Sequence, residues 1–558
     1  MRGQIPAVLP ELLQRAASQF PAHGVGHVQP DKSIQFQPYP QLLDRARRML
    51  AGFQQKGILR GDKVILSLDN SGEIIPVIWA CFLGGIIPAL LQPPGSFTEY
   101  NPAAEKAEKV FRLLENPWVI LSHKHMESWM KSGITQNHLI DSSTVSLDSD
   151  QPELPQLNTG DLALIQFSSG STGDPKGVML SHKNIITNIR DIITGIWLTE
   201  NDISVSWLPL YHDMGLIGFQ ITPTLAGCQQ YFIEPADFIK NPSLWLDNLS
   251  ERQCNITGCP NFGQTIVNRY LNRKKDPTWD FSSIRVVFNG AEPISTFTMQ
   301  EFISKLEEFG FDPVAMFPAY GLAEATLAVT FTPLEEQAEV LRFQRIPLLQ
   351  EGIAVIADQE DENSMELVNL GRHLTHCTVK IIDETGAEVG EGIVGSVQAS
   401  GENVSAGYYR NDEATGQTFI DGWLHTGDLG FLYKGDLFIM GRLKDVIFIN
   451  GINYYAHDLE IVTHNIEGVT SGKIVIAGYF DEREGRDKLL IFLVGSDNEL
   501  TRTTFVKIKS HLKQGLGLQV DTFIPIRSND IPRTSSGKIQ RYKMVNRFLR
   551  GEFTVVKL

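Results

Sequence analysis

The chain has 558 residues, of which 42% are hydrophobic and 20% charged, and its formal net charge at pH 7 is −16. That length exceeds what one hydrophobic core usually organises, so the sequence predicts at least two domains. The acidic balance argues against nucleic acid as a partner, because phosphate backbones are bound mainly by clustered Lys and Arg. From Arg442 onward, however, 18 Lys and Arg residues stand against 13 Asp and Glu residues, a net charge of +5. This basic region indicates either an acidic partner or chance variation.

Cysteine and histidine spacing gives no sign of a metal site. The five cysteines include no CxxC pair, and the 13 histidines include no HExxH arrangement. An odd number of scattered cysteines fits reduced thiols better than a disulfide framework. Residues 1–20 also lack the apolar core of a secretory signal peptide. We therefore expect a cytoplasmic protein without a structural metal.

One apolar segment, Ile74–Leu91, is uncharged and about long enough to span a bilayer. It contains Pro76, Pro88 and the pair Gly84-Gly85, which interrupt a continuous helix. These breakers favour a buried helix, a turn and a buried strand over a membrane span. We predict that the segment belongs to the core, without stable membrane insertion.

The first half of the chain alternates helical periodicity with short apolar runs. Pro40–Lys56 has helical spacing and ends before Gly57, whereas Lys63–Leu68 has the pattern of a buried strand. Further strands are predicted at Trp118–Ser122, Leu162–Phe167, Ile203–Leu208 and Ile284–Phe288. Such alternation is typical of an α/β domain with a largely parallel sheet.

After about Val368 the pattern changes to short strands separated by Gly and Asp turns, which predicts a β-rich subdomain. Its predicted strands are Val379–Asp383, Gly395–Ala399 and Leu437–Met440. Beyond Gly441 we predict a small α+β unit. Its predicted elements are helices near His457–Asn465 and Thr504–Gln514 and strands at Lys473–Gly478 and Leu489–Val494. Charged residues at 442–445 interrupt two apolar strands, so we predict domains at 1–441 and 446–558 with a boundary between them.

The most informative stretch is Phe167–His182, with the sequence FSSGSTGDPKGVMLSH. An apolar strand leads into a loop of Gly, Ser and Thr, and we expect a helix near Lys183. Glycines let backbone N–H groups approach an anion, hydroxyls add donors, and Lys176 adds charge, which together can cradle a phosphate. Gly177 follows Lys176, so the loop is not a Walker GxxxxGK[ST] motif, and a kinase or P-loop ATPase is disfavoured.

The string SSGSTGDPKGVMLSH resembles the signature loop of the adenylate-forming superfamily, which includes acyl-CoA synthetases, luciferases, peptide-synthetase adenylation domains and fatty acyl-AMP ligases. Six further motifs resemble those of the superfamily and follow in the expected order. They are WLPLYHDMGLIG (207–218), NGAEPIS (289–295), YGLAEATL (320–327), GWLHTGDLG (422–430), GRLKDVIFINGINYYAHDLE (441–460) and PRTSSGKIQR (532–541). The resemblance implies a large α/β domain and a small mobile C-terminal domain that activate a carboxylic acid with ATP and Mg²⁺.

The same resemblance implies the phosphate and metal contacts. Thr172 and its neighbours would hold the β- and γ-phosphates, and Lys176 would neutralise their charge. Glu324 and Thr172 would bind Mg²⁺, a hard cation that prefers carboxylate and phosphate oxygens. The implied loop residues are Ser168, Ser169, Gly170, Ser171, Thr172 and Gly173.

The nucleoside contacts are implied in the same way. Tyr320 would offer its ring to adenine beside Gly321, and Gly290-Ala291-Glu292 would close the other side of the base. Asp428 would accept hydrogen bonds from both ribose hydroxyls, as a carboxylate can. Arg442 would lie near the ribose and phosphate.

Three more residues have implied roles in catalysis and domain motion. Lys538 would contact the carboxylate and the α-phosphate, because a cation stabilises the approach of two anions. His212 would border the acyl pocket and orient the substrate carboxylate, or else serve as a structural hydrogen-bonding residue. Lys444 would be the hinge residue about which the C-terminal domain rotates.

The motif wording resembles fatty acyl-AMP ligases most closely. The stretch 333–364 is acidic and polar, and it resembles an insertion that in that group packs across both domains and hinders the rotation used for CoA thioesters. A neutral surface loop is the alternative. For this branch the substrate would be a fatty acid and the acceptor the phosphopantetheine arm of an acyl carrier protein, which the basic C-terminal region would suit.

Two departures from the group bear on the substrate. Ala456 stands where relatives often have Pro, and the wording of Thr257–Tyr270, beside the implied acyl pocket, differs from the group. Three alternatives therefore stay open: a CoA ligase, an adenylating enzyme for an amino, hydroxy or aryl acid, and a non-enzymatic nucleotide-binding module. The presence of Lys538 and Glu324 argues against the last.

Overall fold

The computed structural model describes residues 6–556 except 96, 98–100, 133–135, 149–150, 169–173, 274–277, 359, 362, 450–451, 465, 471, 482–483, 485 and 534–537, and it leaves the side chains of Pro102 and Ser168 undescribed. In chain order, helices α1 to α15 span Leu9–Gln19, Tyr39–Gln55, Ser71–Gly84, Pro102–Leu113, Met126–Met130, His182–Gly195, Thr222–Ala226, Pro235–Lys240, Ser243–Glu251, Asn261–Leu271, Thr296–Glu307, Asp412–Thr418, Ala456–Val462, Glu499–Leu516 and Arg541–Leu549.

Strands β1 to β14 span Gly24–Val28, Ile34–Pro38, Lys63–Ser67, Ile87–Leu90, Trp118–Leu121, Leu139–Asp141, Leu162–Ser168, Lys176–Ser181, Ile203–Ser206, Gln229–Ile233, Ile256–Gly258, Val286–Asn289, Met316–Gly321 and Ala328–Phe331. Strands β15 to β27 span Val340–Gln344, Ser364–Val368, Arg372–His373, Cys377–Ile382, Gly395–Gly401, Phe419–Ile420, Trp423–Tyr433, Asp436–Arg442, Val446–Ile449, Ile452–Tyr455, Ile474–Asp481, Arg486–Val494 and Thr522–Ile526.

A nine-stranded sheet forms the centre of the N-terminal region, in the order β17-β14-β13-β12-β11-β9-β10-β1-β2. The strands from β13 to β1 run parallel to their neighbours. Strands β2, β14 and β17 pair antiparallel at the two edges. Inner strands such as β12 are buried along their whole length, as expected for parallel strands covered on both faces. The predicted α/β region with a largely parallel sheet is confirmed.

A second sheet, β4-β3-β5-β6, is parallel throughout and contains part of the apolar segment Ile74–Leu91. Helix α3 is capped by Asn70, whose side chain accepts from the backbone N–H of Glu73, and it ends where Gly85 adopts φ 61°. Strand β4 then continues into the core, and both elements are buried. The predicted order of buried helix, turn and buried strand is therefore confirmed. Among the described residues, no helix is both long and apolar enough to cross a membrane.

Beyond the central sheet, the described part of the chain forms a five-stranded and a three-stranded sheet, besides the two-stranded pairs β15-β16 and β23-β24. Strands β18-β19-β21-β20, with β22 paired to β21, form an antiparallel sheet and confirm the predicted β-rich segment. Past Arg442, one helical turn at Leu443–Asp445 leads into β23 and the three-stranded sheet β25-β26-β27. Helices α13 and α15 pack on β25, so this end of the chain is α+β as predicted.

The stretch 333–364 is not a polar loop throughout. Strand β15 pairs antiparallel with β16, and Phe343 is fully buried with its ring centroid 5.1 Å from that of Phe431. Leu348 and Leu349 are buried in the same core cluster, which also contains residues of the C-terminal region such as Tyr454. The interpretation of this stretch as polar is therefore wrong for its middle part, which buries apolar side chains between neighbouring elements.

Candidate active site

One cavity of about 940 Å³ collects the predicted site residues that the structure describes. Its lining includes Lys176, His212, Gly290, Ala291, Glu292, Tyr320, Gly321, Glu324, Asp428, Arg442, Lys444 and Lys538. The predicted residues Ser169, Gly170, Ser171, Thr172 and Gly173, and the side chain of Ser168, lie outside the described part of the chain. Residues separated by more than 300 positions in sequence thus surround a single space.

The Gly/Ser/Thr loop joins two antiparallel strands. In this hairpin Phe167 pairs with Gly177, and Ser168 pairs with Lys176. Strand β8 between the loop and helix α6 was missed, although the alternation of buried Val178 and Leu180 is a strand signal. Helix α6 begins at His182, near the predicted position, and strand β8 directly precedes it in the chain.

Tyr408, which the sequence motifs did not identify, contacts both Glu324 and Lys176. The Tyr408 hydroxyl donates to Glu324 Oε1 at 2.8 Å, and the Lys176 ammonium lies 4.7 Å from the centroid of the Tyr408 ring. Burial lowers the pKa of Lys176; the Glu324 carboxylate opposes this shift and the Lys444 cation adds to it. Tyr408 therefore helps to hold a carboxylate and an ammonium at the same end of the cavity.

The donor set at this end fits a magnesium ion bound together with phosphates. Among the described residues, no group of three or more His, Cys, Asp or Glu side chains is placed to hold a metal ion, so they offer no all-protein cage. Mg²⁺ usually keeps several waters and binds through one or two carboxylates plus substrate phosphates. Glu324, which lines the cavity and accepts one hydrogen bond from Tyr408 at Oε1, suits that mode.

Asp428 lies between Tyr320 and Arg442. The Tyr320 hydroxyl donates to Asp428 Oδ2 at 2.6 Å, and Arg442 Nε donates to Oδ1 at 3.2 Å. Burial and the neighbouring Asp428 carboxylate raise the pKa of Tyr320 well above its usual value, so the phenol stays a donor. A carboxylate oxygen can accept two hydrogen bonds, and each oxygen of Asp428 accepts one from these two side chains. Asp428 therefore has capacity for two further hydroxyl donors.

The Gly290-Ala291-Glu292 segment follows directly after strand β12 and is tightly constrained. A Cβ atom at Gly290 would lie 2.5 Å from the Ala319 carbonyl oxygen, which explains the glycine. Ala291 adopts φ 70°, a left-handed conformation that is uncommon for a non-glycine residue. Glu292 Oε1 accepts from the backbone N–H of Phe262 at 3.3 Å. Burial raises the pKa of Glu292, and nearby cations oppose the shift; they are Lys538, Arg533 and Arg541.

Lys538 reaches the cavity from the C-terminal region. Burial and the Arg442 cation lower the pKa of Lys538. Three carboxylates oppose this shift: Asp213, Asp428 and Glu292. Each of them belongs to a different segment of the N-terminal region. Lys538 thus lies where one ammonium group is within electrostatic reach of all three segments.

His212 is held by its neighbour Asp213, which the motif assignment did not single out. Asp213 Oδ1 lies 2.6 Å from His212 Nδ1 and also accepts from the backbone N–H of Met214 at 2.7 Å. Burial opposes ionisation of Asp213, but His212, Lys538 and the Met214 N–H together keep its pKa below the usual value. Because Nδ1 faces this carboxylate, Nε2 is the ring nitrogen of His212 left for a ligand.

Apolar side chains also line the cavity, among further polar and charged ones. One set of lining residues comes from α6, the π-helical segment Met214–Ile221, β12, and β14 with the residue before it: Ile192, Gly218, Phe219, Phe288, Leu327 and Phe331. A second set comes from α10, within the predicted segment Thr257–Tyr270: Phe262, Thr265, Ile266 and Arg269. Phe288 packs against Phe219 and Phe331, with ring centroids 6.1 and 5.6 Å apart, so the cavity is lined by an aromatic cluster as well as by charged groups.

Comparison with known proteins agrees with this arrangement. The sequence matches the family described as AMP-binding enzyme over residues 13–409. Medium-chain-fatty-acid–acyl-carrier-protein ligase TtuA of Teredinibacter turnerae is 33% identical over 440 residues, which cover 75% of this chain and 67% of that protein. A putative acyl-CoA synthetase of Caulobacter vibrioides is 29% identical over 530 residues, covering 92% of this chain and 91% of that protein.

Among solved structures, one from a study of fatty acyl-adenylate ligases of E. coli and L. pneumophila has a TM-score of 0.89 at 28% identity and covers 98% of each chain. The likeness extends over both the central sheets and the C-terminal α+β region. The family match covers most of the chain and includes the phosphate loop, Glu324 and Tyr320. This chain belongs to the family of AMP-binding enzymes, which use ATP, generally with a divalent metal ion.

Proposed function

We propose that this protein is a fatty acyl-AMP ligase that passes its acyl group to an acyl carrier protein. In the first step ATP and a fatty acid give acyl-AMP and pyrophosphate. In the second step the phosphopantetheine thiol of the carrier protein attacks the acyl carbonyl, forming a thioester and releasing AMP. The observation that carries the proposal is the single cavity that is lined both by Asp428, Arg442 and Lys538 and by a cluster of aromatic side chains.

The aromatic cluster in the cavity lining supports a fatty acid as substrate. Phe219, Phe288 and Phe331 are almost fully buried side chains that border this part of the cavity. Each methylene transferred from water to such a lining contributes about 0.8 kcal/mol to binding. Affinity should therefore rise with chain length until the apolar part of the cavity is filled.

The charged residues in the cavity lining support adenylation. A substrate carboxylate oxygen forms a bond to the α-phosphorus while the bond from that phosphorus to the pyrophosphate oxygen breaks, and two anions must approach each other. Lys538 and Arg442 would reduce this repulsion, which is the usual means of stabilising such a transition state. His212, held by Asp213, would orient the carboxylate. Glu324 and Thr172 would hold Mg²⁺, which would offset negative charge on the phosphates.

The acceptor is the point on which the relatives' names differ, and the stretch 333–364 supports the carrier protein. Its residues Phe343, Leu348 and Leu349 share a core cluster with the C-terminal region. Rotation of the region 446–558 about Lys444 would have to separate these contacts. The insertion would therefore disfavour the rotated state used for CoA, while a carrier protein that binds the C-terminal region could offset the cost.

The full-length protein should be incubated with ATP, Mg²⁺, CoA, a phosphopantetheinylated acyl carrier protein and a graded set of fatty, aryl, hydroxy and amino acids, with products identified by mass spectrometry. Fatty acyl-AMP and acyl carrier protein thioester without acyl-CoA is the expected result. Abundant acyl-CoA would contradict the assigned acceptor, and adenylates of small acids alone would contradict the assigned substrate.

A further inference from the structure

A second lysine contacts the end of strand β7, the strand that precedes the segment 169–173. Helix α4 carries Lys106, whose ammonium group donates to the Phe167 carbonyl oxygen at 3.2 Å. Phe167 is close to the end of β7, where the loop begins. Lys106 and Phe167 line the same cavity as Lys176. None of the sequence motifs includes Lys106, since α4 is more than 50 residues before the loop.

The electrostatic environment of Lys106 is unusual for a lysine. Burial lowers its pKa to about 8. No salt bridge between described residues includes Lys106, whereas Lys109, one turn further along the helix, pairs with Glu105 and Asp174. Burying an ammonium group without a carboxylate costs free energy unless another anion balances it. The group has three donors, and Phe167 accepts one of them, which leaves two for a ligand in the cavity.

We propose that Lys106 binds the β- and γ-phosphates of ATP, and the pyrophosphate that leaves, together with Lys176. The inference rests on the proposed function and adds a binding residue to it. As the bond between the α-phosphorus and the bridging oxygen breaks, the electron pair stays on pyrophosphate and its negative charge increases. A second ammonium group at that position stabilises this charge. AMP lacks the β- and γ-phosphates, so it does not contact Lys106.

The competing explanation is structural: the bond from Lys106 to Phe167 would only fix α4 against β7. Phosphate affinity separates the two explanations. A binding residue affects ligands that carry β- and γ-phosphates and spares AMP. A structural residue affects ATP, pyrophosphate and AMP alike, because it acts through the shape of the whole cavity.

The test uses the full-length protein with the substitutions Lys106→Met and Lys106→Arg. Arg112→Met is the matched control, because Arg112 lies on the same helix with its side chain 77% exposed and pairs with Glu108 on the surface. Isothermal titration calorimetry with magnesium pyrophosphate and with AMP gives the two affinities. Lys106→Met should weaken pyrophosphate binding by about 10- to 100-fold, the range for a hydrogen bond to a charged group, and should leave AMP binding within about twofold. Lys106→Arg should retain most of the affinity.

Three results would overturn the inference. They are unchanged pyrophosphate affinity in Lys106→Met, equal loss of pyrophosphate and AMP affinity, and an equal effect of Arg112→Met. Failure of the proposed function gives a different result, because the wild-type protein would then form no acyl-AMP from any fatty acid.

Discussion

The Arg345 guanidinium donates to the Asp458 carboxylate, and this ion pair joins the segment between β15 and β16 to helix α13 of the C-terminal region. Both side chains are buried, with 8% and 6% of their surfaces exposed. Arg345 also donates to the Ser364 carbonyl oxygen at 3.0 Å, which fixes its orientation. The pair is thus a specific link between two segments 113 residues apart in sequence.

Replacing Arg345 by Gln should destabilise the protein by about 3 kcal/mol, because Asp458 would be left as a buried and uncompensated charge. Urea unfolding measures the change in free energy. The matched control is Arg342→Gln, since Arg342 donates to Ser364 Oγ at 2.9 Å and to the Asp361 carbonyl oxygen at 2.8 Å within the same segment. Equal destabilisation by the two substitutions would contradict a special role for the link to Asp458.

Removing both members of the pair should increase acyl-CoA formation. Deleting 333–364 would also remove Phe343 and its neighbours from the core, so the double substitution Arg345→Ala with Asp458→Ala is the milder change. If the link restrains rotation, acyl-CoA yield should rise at least about fivefold, the effect of 1 kcal/mol on a two-state population. Mass spectrometry measures the yield, and no gain in a folded double variant would argue that the link has no part in acceptor choice.

Lys538→Ala should lower the rate of acyl-AMP formation by about 100- to 1,000-fold, the range found when one preorganised charge or donor is removed from a transition state. Pyrophosphate release measures this rate. Lys513→Ala, on the exposed face of α14, serves as the control for loss of a C-terminal lysine. A Lys538→Ala enzyme that releases pyrophosphate at the wild-type rate would remove Lys538 from the proposed mechanism.

Asp428→Ala should weaken ATP binding by about 10- to 100-fold, because it removes hydrogen bonds to a charged group. A second substitution can be compared with it, because the Tyr320 hydroxyl donates to the Asp428 carboxylate. Tyr320→Phe keeps the ring and loses only that donor, so it should weaken ATP binding less than Asp428→Ala does. Calorimetric titration with ATP distinguishes the two, and the reverse order of effects would contradict the ribose contact.

Acid should destabilise the fold through buried histidines. Burial lowers the pKa of His27 and of His182 from 6.5 to about 4, and His182 Nδ1 accepts from the Leu9 backbone N–H at 3.2 Å, which requires a neutral ring. The unfolded chain takes up protons below pH 6.5, whereas the folded protein does so only near pH 4. The stability is therefore fully present above pH 6.5 and is lost as the pH falls towards 4, by up to roughly 3 kcal/mol for each histidine.

Urea unfolding at pH 7.5 and pH 5 measures this loss. His182→Gln should have a smaller loss between the two pH values than the wild type. His123→Gln is the control, because the His123 side chain is 82% exposed. A loss that is identical in His182→Gln and the wild type would assign the acid sensitivity to other groups.

Local patterns predicted many of the elements and named the candidate site residues. Helix α3, its turn at Gly85 and strand β4 follow from apolar runs and breakers that lie next to each other in sequence. Strand β8 was missed because its six residues were interpreted as the end of the loop. The motif residues Glu324, Asp428 and Lys538 were named from sequence, and the structure gathers them around one cavity.

Only the tertiary structure decided which side chains meet across long separations. Three hydrogen bonds join positions that no periodicity or motif connects. They run from Tyr408 to Glu324, from Lys106 to the Phe167 carbonyl oxygen and from Arg345 to Asp458. The sequence determined the α/β elements, the order of the motifs and the family, because each depends on neighbouring residues. The contacts that hold the site residues in place depend on how the sheets and helices pack, and packing is a property of the whole chain.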